Sequence, residues 1–224
     1  MKKLFTLILL AGIAIMHAQD TVFFHKPDFK AIEKRIKDKN SPLYFERLYS
    51  RFAKADSTMT QAERQHLYYG YSFKEGYNPY FTSEASLEIS KLLNIDNLGK
   101  KDMEKIISLS DEVLKGYPFN LSMMGYRAYF FSALGRQKEA AAENTRANII
   151  LDAILGTGDG LDKSTCMYVI NVGNEYEVIN ILGFAYGGNQ KFVDARYDYL
   201  ELEENEQGVQ GLYFDVSRIV STFK

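Results

Sequence analysis

No tryptophan occurs among the 224 residues, and the sequence holds one cysteine and three histidines. A single cysteine excludes an intramolecular disulfide, and this inventory excludes a structural Cys/His zinc site. A basic excess is also missing. Lys and Arg number 27 against 29 Asp and Glu, a formal net charge of -2, and nucleic-acid binders usually carry a basic footprint. The lack of tryptophan removes the ring that dedicated glycan-binding faces often use. What is present is an ordinary folding composition, 46% hydrophobic and 25% charged, with aromatic residues supplied only by 16 Tyr and 15 Phe. The length allows one large domain or two small ones at ~100–200 residues per domain.

Residues 1–19 read as a secretory leader. Lys2 and Lys3 form a positive start, and Leu4 to Met16 is apolar apart from Thr6. That run is too short to span ~30 Å of hydrocarbon as a helix, and no stop-transfer pattern follows. Cleavage is expected after Ala18 or after Gln19, and no cysteine at the junction supports lipoprotein processing. The expected localisation is periplasmic or extracellular, with no membrane span after cleavage. Loss of Lys2 and Lys3 takes the net charge to about -4.

From residue 20 to residue 156 the pattern is helical. Phe29, Ile32 and Ile36 recur at helical spacing, Ser41-Pro42 reads as a helix start, and Thr60 to Glu63 forms a capping box. Ser83 to Leu93 reads as a further helix. Asp102 to Lys115 then forms a helix stopped by Gly116, followed by one from about Leu121 to Leu134 and one from about Gln137 to Gly156. This stretch resembles a tetratricopeptide repeat. Pro118, Ala128, Phe131, Gly135, Ala140 and Ala147 occupy the expected proline, small, aromatic and glycine positions, while Asn144 and Asp152 depart from the pattern. Only one repeat matches through both helices. Such residues build a packing scaffold.

Beyond Gly156 the period changes. Ser164 to Val172 is β-like, Asn174 to Gly183 reads as a short helix capped by Asn174, and Gly187-Gly188-Asn189 reads as a hairpin turn leading into Lys191 to Glu203. Leu212 to Val216 closes a sheet. The expected fold is α+β: tetratricopeptide-like helical hairpins, then a small antiparallel sheet with one short helix, residues 157–224 packing on residues 20–156 or continuing them as one domain. Leu67-Tyr68-Tyr69-Gly70, Tyr77-Asn78-Pro79-Tyr80, Gly158-Asp159-Gly160, Tyr197-Asp198-Tyr199-Leu200-Glu201 and Leu212-Tyr213-Phe214-Asp215-Val216 occur in an order that resembles an uncharacterised family of small exported bacterial proteins, a domain of unknown function. The resemblance implies export and the helix-then-sheet layout, and it implies no catalytic residue.

Chemistry-bearing patterns are few. Gly156-x-Gly158-x-Gly160 follows a helix and lacks the Lys-Ser/Thr ending, so it reads as a helix end and turn rather than a phosphate cradle. Asp159 and Asp162 fail the EF-hand spacing, leaving only a looser calcium loop open. Cys166 lies in an apolar run and reads as an inert thiol, with His25 and His66 both remote in sequence. No cofactor, no metal and no catalytic triad are indicated. Seven aromatics between Tyr68 and Phe81 form the best surface candidate, with Tyr69, Phe73, Tyr77 and Tyr80 as expected partner contacts, Tyr77 and Tyr80 foremost. The expected function is therefore an exported, non-catalytic scaffold for a protein or peptide partner. The alternative is a hydrolase of envelope polymers using Asp198 and Glu201 beside Tyr199.

Overall fold

Helix boundaries follow local capping chemistry. The computed structural model of the protein describes residues 24–223; the leader expected at residues 1–19 lies outside them. Helix α1 (Phe29–Lys37) starts at Asp28, whose carboxylate accepts the Ala31 N–H at 3.0 Å. Helix α3 (Gln61–Tyr71) carries the capping box in full: Thr60 Oγ1 accepts from Glu63 N, and Glu63 Oε2 accepts from Thr60 N. Helix α4 (Glu84–Leu93) starts at Ser83. Ser41-Pro42 does not start a helix. Ser41 Oγ accepts from Leu43 N at 3.0 Å in a preceding turn, and α2 begins later (Phe45–Ala53), because the hydroxyl is spent on its own turn.

Helices α5 (Lys100–Gly116), α6 (Leu121–Ala133) and α7 (Gln137–Leu155) are antiparallel neighbours joined by short turns. Ala128, Phe131 and Ala140 are buried among them, Gly135 closes α6 at φ +77°, Pro118 is buried between α5 and α6, and Ala147 packs part-buried on the main core. Small side chains let α6 and α7 approach. Between them Glu143, 1% exposed as a side chain, takes both Arg127 and Arg146.

The remaining elements are β1 (Met167–Tyr168), α8 (Val172–Ile181), β2 (Tyr186–Val193), β3 (Tyr197–Leu202), β4 (Gly211–Asp215) and the short α9 (Ser217–Val220). The strand order is β1-β4-β3-β2. β2, β3 and β4 are antiparallel, whereas β1 runs parallel to β4, so the sheet is mixed. These two strands are linked through α8, β2 and β3 rather than by a hairpin, and a long connection permits the parallel pairing. The hairpin turn lies elsewhere than expected. Gly187 to Asn189 is absorbed as a bulge inside β2, while Asp194 and Ala195, at φ 54° and 50°, make the turn into β3. The cap of α8 is Asn171, not Asn174, and Asn174 is instead fully buried.

A main apolar cluster runs from Ile32 on α1 through Leu67 and Ile150 to Leu200 and Phe214 on the sheet. It crosses residue 156, so the helical and sheet-bearing halves share one core. A smaller cluster holds α4, α5 and α6 together. Helix α3 is its own explanation of the order: Leu67, Tyr68 and Tyr69 are each 0% exposed, and every buried ring of that size contributes a few kcal/mol at about 25 cal/mol per Å².

Candidate functional site

The segment after α3 turns at Gly76, where φ is +78°. Three contacts then pin it. The Tyr77 hydroxyl donates to the Ile170 carbonyl, Asn78 Oδ1 accepts from Tyr80 N at 2.9 Å, and Val172 N donates to the Pro79 carbonyl at 3.2 Å. Tyr80 is thereby held beside the first turn of α8 with its ring 47% exposed. Its centroid lies 5.7 Å from that of Phe223, itself 71% exposed. Two adjoining rings thus face solvent on a fixed backbone.

The other aromatic residues expected at a partner surface are placed differently. Tyr69 is fully buried, its hydroxyl within reach of the Ala153 and Tyr168 carbonyls at 3.2 and 3.1 Å, so it is core and not a contact residue. Phe73 is half-buried beneath the Arg218 guanidinium at 4.0 Å, and Arg218 also binds Ser72. Tyr77 is half-buried and edge-on to Tyr71. Of the four, Tyr80 alone is exposed.

Under Tyr80 lies an acid pair. Asp198 faces inward from β3, in register between Phe192 of β2 and Phe214 of β4, and is 9% exposed. Its carboxylate accepts from Gln190 Nε2 at 2.8 Å, and Gln190 Oε1 accepts from the Tyr176 hydroxyl at 2.8 Å. Glu175 of α8 is 0% exposed, and neither carboxyl oxygen meets an N–H or O–H donor. Burial, with the negative charge of Asp198 beside it, pushes Glu175 well above the usual carboxylate range. Burial raises Asp198 too, although Glu175 hydrogen-bonds to it. Of the two acids Glu175, the more deeply buried, is the more readily protonated. Tyr80 feels both carboxyls.

The residues flanking Glu175 on α8, Asn174 and Glu177, form a second polar cluster. Asn174 Oδ1 accepts from the Tyr68 and Tyr117 hydroxyls at 2.8 and 2.7 Å, and its Nδ2 donates to Glu177 at 2.6 Å. Glu177 also accepts from Leu121 N and Ser122 N, closing the free N–H groups at the start of α6. Burial raises its pKa while these donors oppose the shift. This cluster is fully paired and joins α3, α6 and α8.

The sheet's outer face carries Tyr199 and Tyr213, with ring centroids 4.6 Å apart. Glu201 lies there too, paired with Lys191 at 2.5 Å and Asn189 at 2.9 Å, on the wall of a shallow groove of about 600 Å³. Asp198 and Glu201 are thus on opposite faces of β3, three residues apart along an alternating strand. The carboxylate pair expected beside Tyr199 is not assembled.

The remaining motifs are structural. Asp159 accepts from Leu161 N and Thr165 Oγ1, and Asp162 from Ser164 N, so each serves its own turn. Among the described residues no three His, Cys, Asp or Glu side chains group as metal ligands. Gly158 allows a close chain approach: a Cβ there would sit 2.0 Å from the Thr165 carbonyl oxygen. Cys166 is buried, its thiol pushed up to about 11 by desolvation, which keeps it protonated and unreactive. His66 bonds the Ala62 carbonyl within its own helix, and burial lowers its pKa.

Asn171 and Phe223 are not singled out by the sequence reading, and Glu175 is set aside there because it shares a face with Glu177 only on a strand and the segment reads as a helix. A glutamate on a short helix reads as solvated, and the available signal was the polar run Asn171 to Glu177, with polar residues at spacings of three and four. No curated protein and no solved structure matches the chain. A family model matches residues 30–224, and the chain belongs to that family, described as a domain of unknown function, DUF4919.

Proposed function

We propose that the protein is an exported, non-catalytic binding module that engages a protein or peptide partner through the face around Tyr80. The observation that carries this reading is the exposed Tyr80–Phe223 pair on a backbone tied down at Tyr77, Asn78 and Pro79. A pinned aromatic loses little conformational entropy on binding, and tyrosine is enriched among interface anchors. The helical part, with its tetratricopeptide-like hairpin, serves as the scaffold behind that face. The hydrolase alternative is weakened because Asp198 and Glu201 diverge.

The test is affinity capture from envelope extracts using the exported chain, the double variant Tyr80→Ala/Phe223→Ala, and Leu87→Ala as an exposed control on α4. A protein retained by the parent and the control but lost from the double variant, with circular dichroism unchanged, supports the reading. Equal retention by all three contradicts it.

A further inference from the structure

Glu175 and Asp198 meet between α8 and β3 and hydrogen-bond to each other. Neither oxygen of Glu175 meets an N–H or O–H donor, so that bond exists only while one of the two carboxyls keeps a proton. Two ionised carboxylates in contact present acceptors alone, and they repel. Glu175 is 0% exposed and Asp198 9%, so water screens little of that repulsion.

No positive charge offsets it. Among the described ion pairs neither acid has a Lys or Arg partner, and the basic groups of neighbouring elements are committed elsewhere: Lys191 to Glu201, Arg196 to Asp215, and Arg218 to Ser72 and Phe73. The groups that face the pair are Tyr80 from the loop after α3, Tyr176 from α8 and the uncharged Gln190 from β2. Glu177 of α8 turns instead to the start of α6. Both tyrosines are raised above their ordinary range, so the acid pair is the group that titrates as pH climbs from the acidic side.

The two sides of the pair are held unequally. Behind Glu175, α8 is tied to α3 and α6 through Asn174 and Glu177. In front of it, β2 is the edge of the sheet, exposed from Gly187 to Phe192, with a bulge where Gly188 lies at φ +93°. Gln190 fastens this edge. Its Nε2 donates to Asp198 and its Oε1 accepts from the Tyr176 hydroxyl, each at 2.8 Å, while the Tyr176 and Tyr186 rings meet edge-on at 5.2 Å.

We propose that Glu175, Asp198 and Gln190 form a pH-sensitive latch, which fastens the edge strand β2 to α8 while the acid pair keeps its proton and frees β2 when that proton is lost. On opening, the carboxyl O–H bond breaks, the proton passes to water and two carboxylate anions remain. The proton belongs to the closed form, so closure is complete at low pH and is lost as pH rises through the raised folded value. The freed strand uncovers Tyr186 and the flank of α8 that carries Tyr176. The latch stands whether or not a partner engages Tyr80.

The test is hydrogen exchange of the full chain, read by mass spectrometry at about pH 6 and about pH 9, with labelling times scaled for the intrinsic effect of pH. Protection of residues 186–193 is expected to fall about tenfold or more between the two pH values, while residues 61–71 of α3 change little. Glu175→Gln and Asp198→Asn each replace the shared proton by an amide N–H that does not titrate, so in both variants β2 keeps equal protection at the two pH values. Equal protection of β2 in the parent at both pH values overturns the inference. So does a fall of the parent's size in either variant whose circular dichroism matches the parent. A matching fall across α3 overturns it as well, because the loss is then of the whole fold rather than of one strand.

Discussion

Replacing Asn174 by alanine removes the centre of the polar cluster that ties three helices together. The Tyr68 and Tyr117 hydroxyls lose their common acceptor, Glu177 loses one of three donors, and the Phe119 carbonyl loses a contact at 3.3 Å. Tyr68 and Tyr117 are 0% and 2% exposed, so water does not replace what is lost. An orphaned buried group costs about 1–3 kcal/mol. Two hydroxyls and a weakened carboxylate site therefore cost about 3–6 kcal/mol, a large share of the ~5–15 kcal/mol that holds a domain folded. Urea unfolding followed by circular dichroism measures this as a lower midpoint at unchanged slope. Asn174→Asp keeps an acceptor for both hydroxyls but sets a second carboxyl against Glu177, so its defect should deepen as pH rises. A loss below about 1 kcal/mol for Asn174→Ala would refute the reasoning, because the cluster would then be ornamental.

Three further outcomes are expected. Glu175 has its folded pKa raised above the unfolded value, so the folded chain binds more protons there and stability falls as pH climbs past about 4.5, by up to about 1.4 kcal/mol per pH unit for one proton; Glu175→Gln should flatten that slope in urea titrations. Ala195→Gly relieves a left-handed alanine at φ 50°, and after the added unfolded-state entropy it should stabilise the β2–β3 hairpin by about 0.5–1 kcal/mol, read as a higher melting temperature. Ala140→Leu should overpack the α6–α7 contact and cost about 1–3 kcal/mol, and an unchanged melting temperature would count against close helix approach at that point.

How far the sequence is legible varies by element. The Thr60–Glu63 box and the glycine stops at Gly116 and Gly135 are local chemistry, and the helices they bound stand as expected. Ser41-Pro42 and Gly187 to Asn189 carry equally clear local signals with a different tertiary use, one as a separate turn and the other as a bulge. Strand parity correctly groups Tyr199 with Glu201, and it also separates Glu201 from Asp198. At the candidate site, the Asn78-Pro79 loop marks Tyr80 as exposed, yet the density of aromatics cannot tell which rings turn inward, and Tyr69 belongs to a helix buried on nearly every side. Glu175 was hidden because burial of an acid depends on a partner from β3, more than twenty residues along the chain.

The most direct measurement is site-specific photo-cross-linking in cells. The chain carries a photoreactive phenylalanine analogue at position 80 or, as the control, at position 87, which is 66% exposed on α4. A binding face around Tyr80 predicts one discrete higher-mass adduct at position 80 and none at position 87. No adduct at position 80, or the same adducts at both positions, would contradict the account.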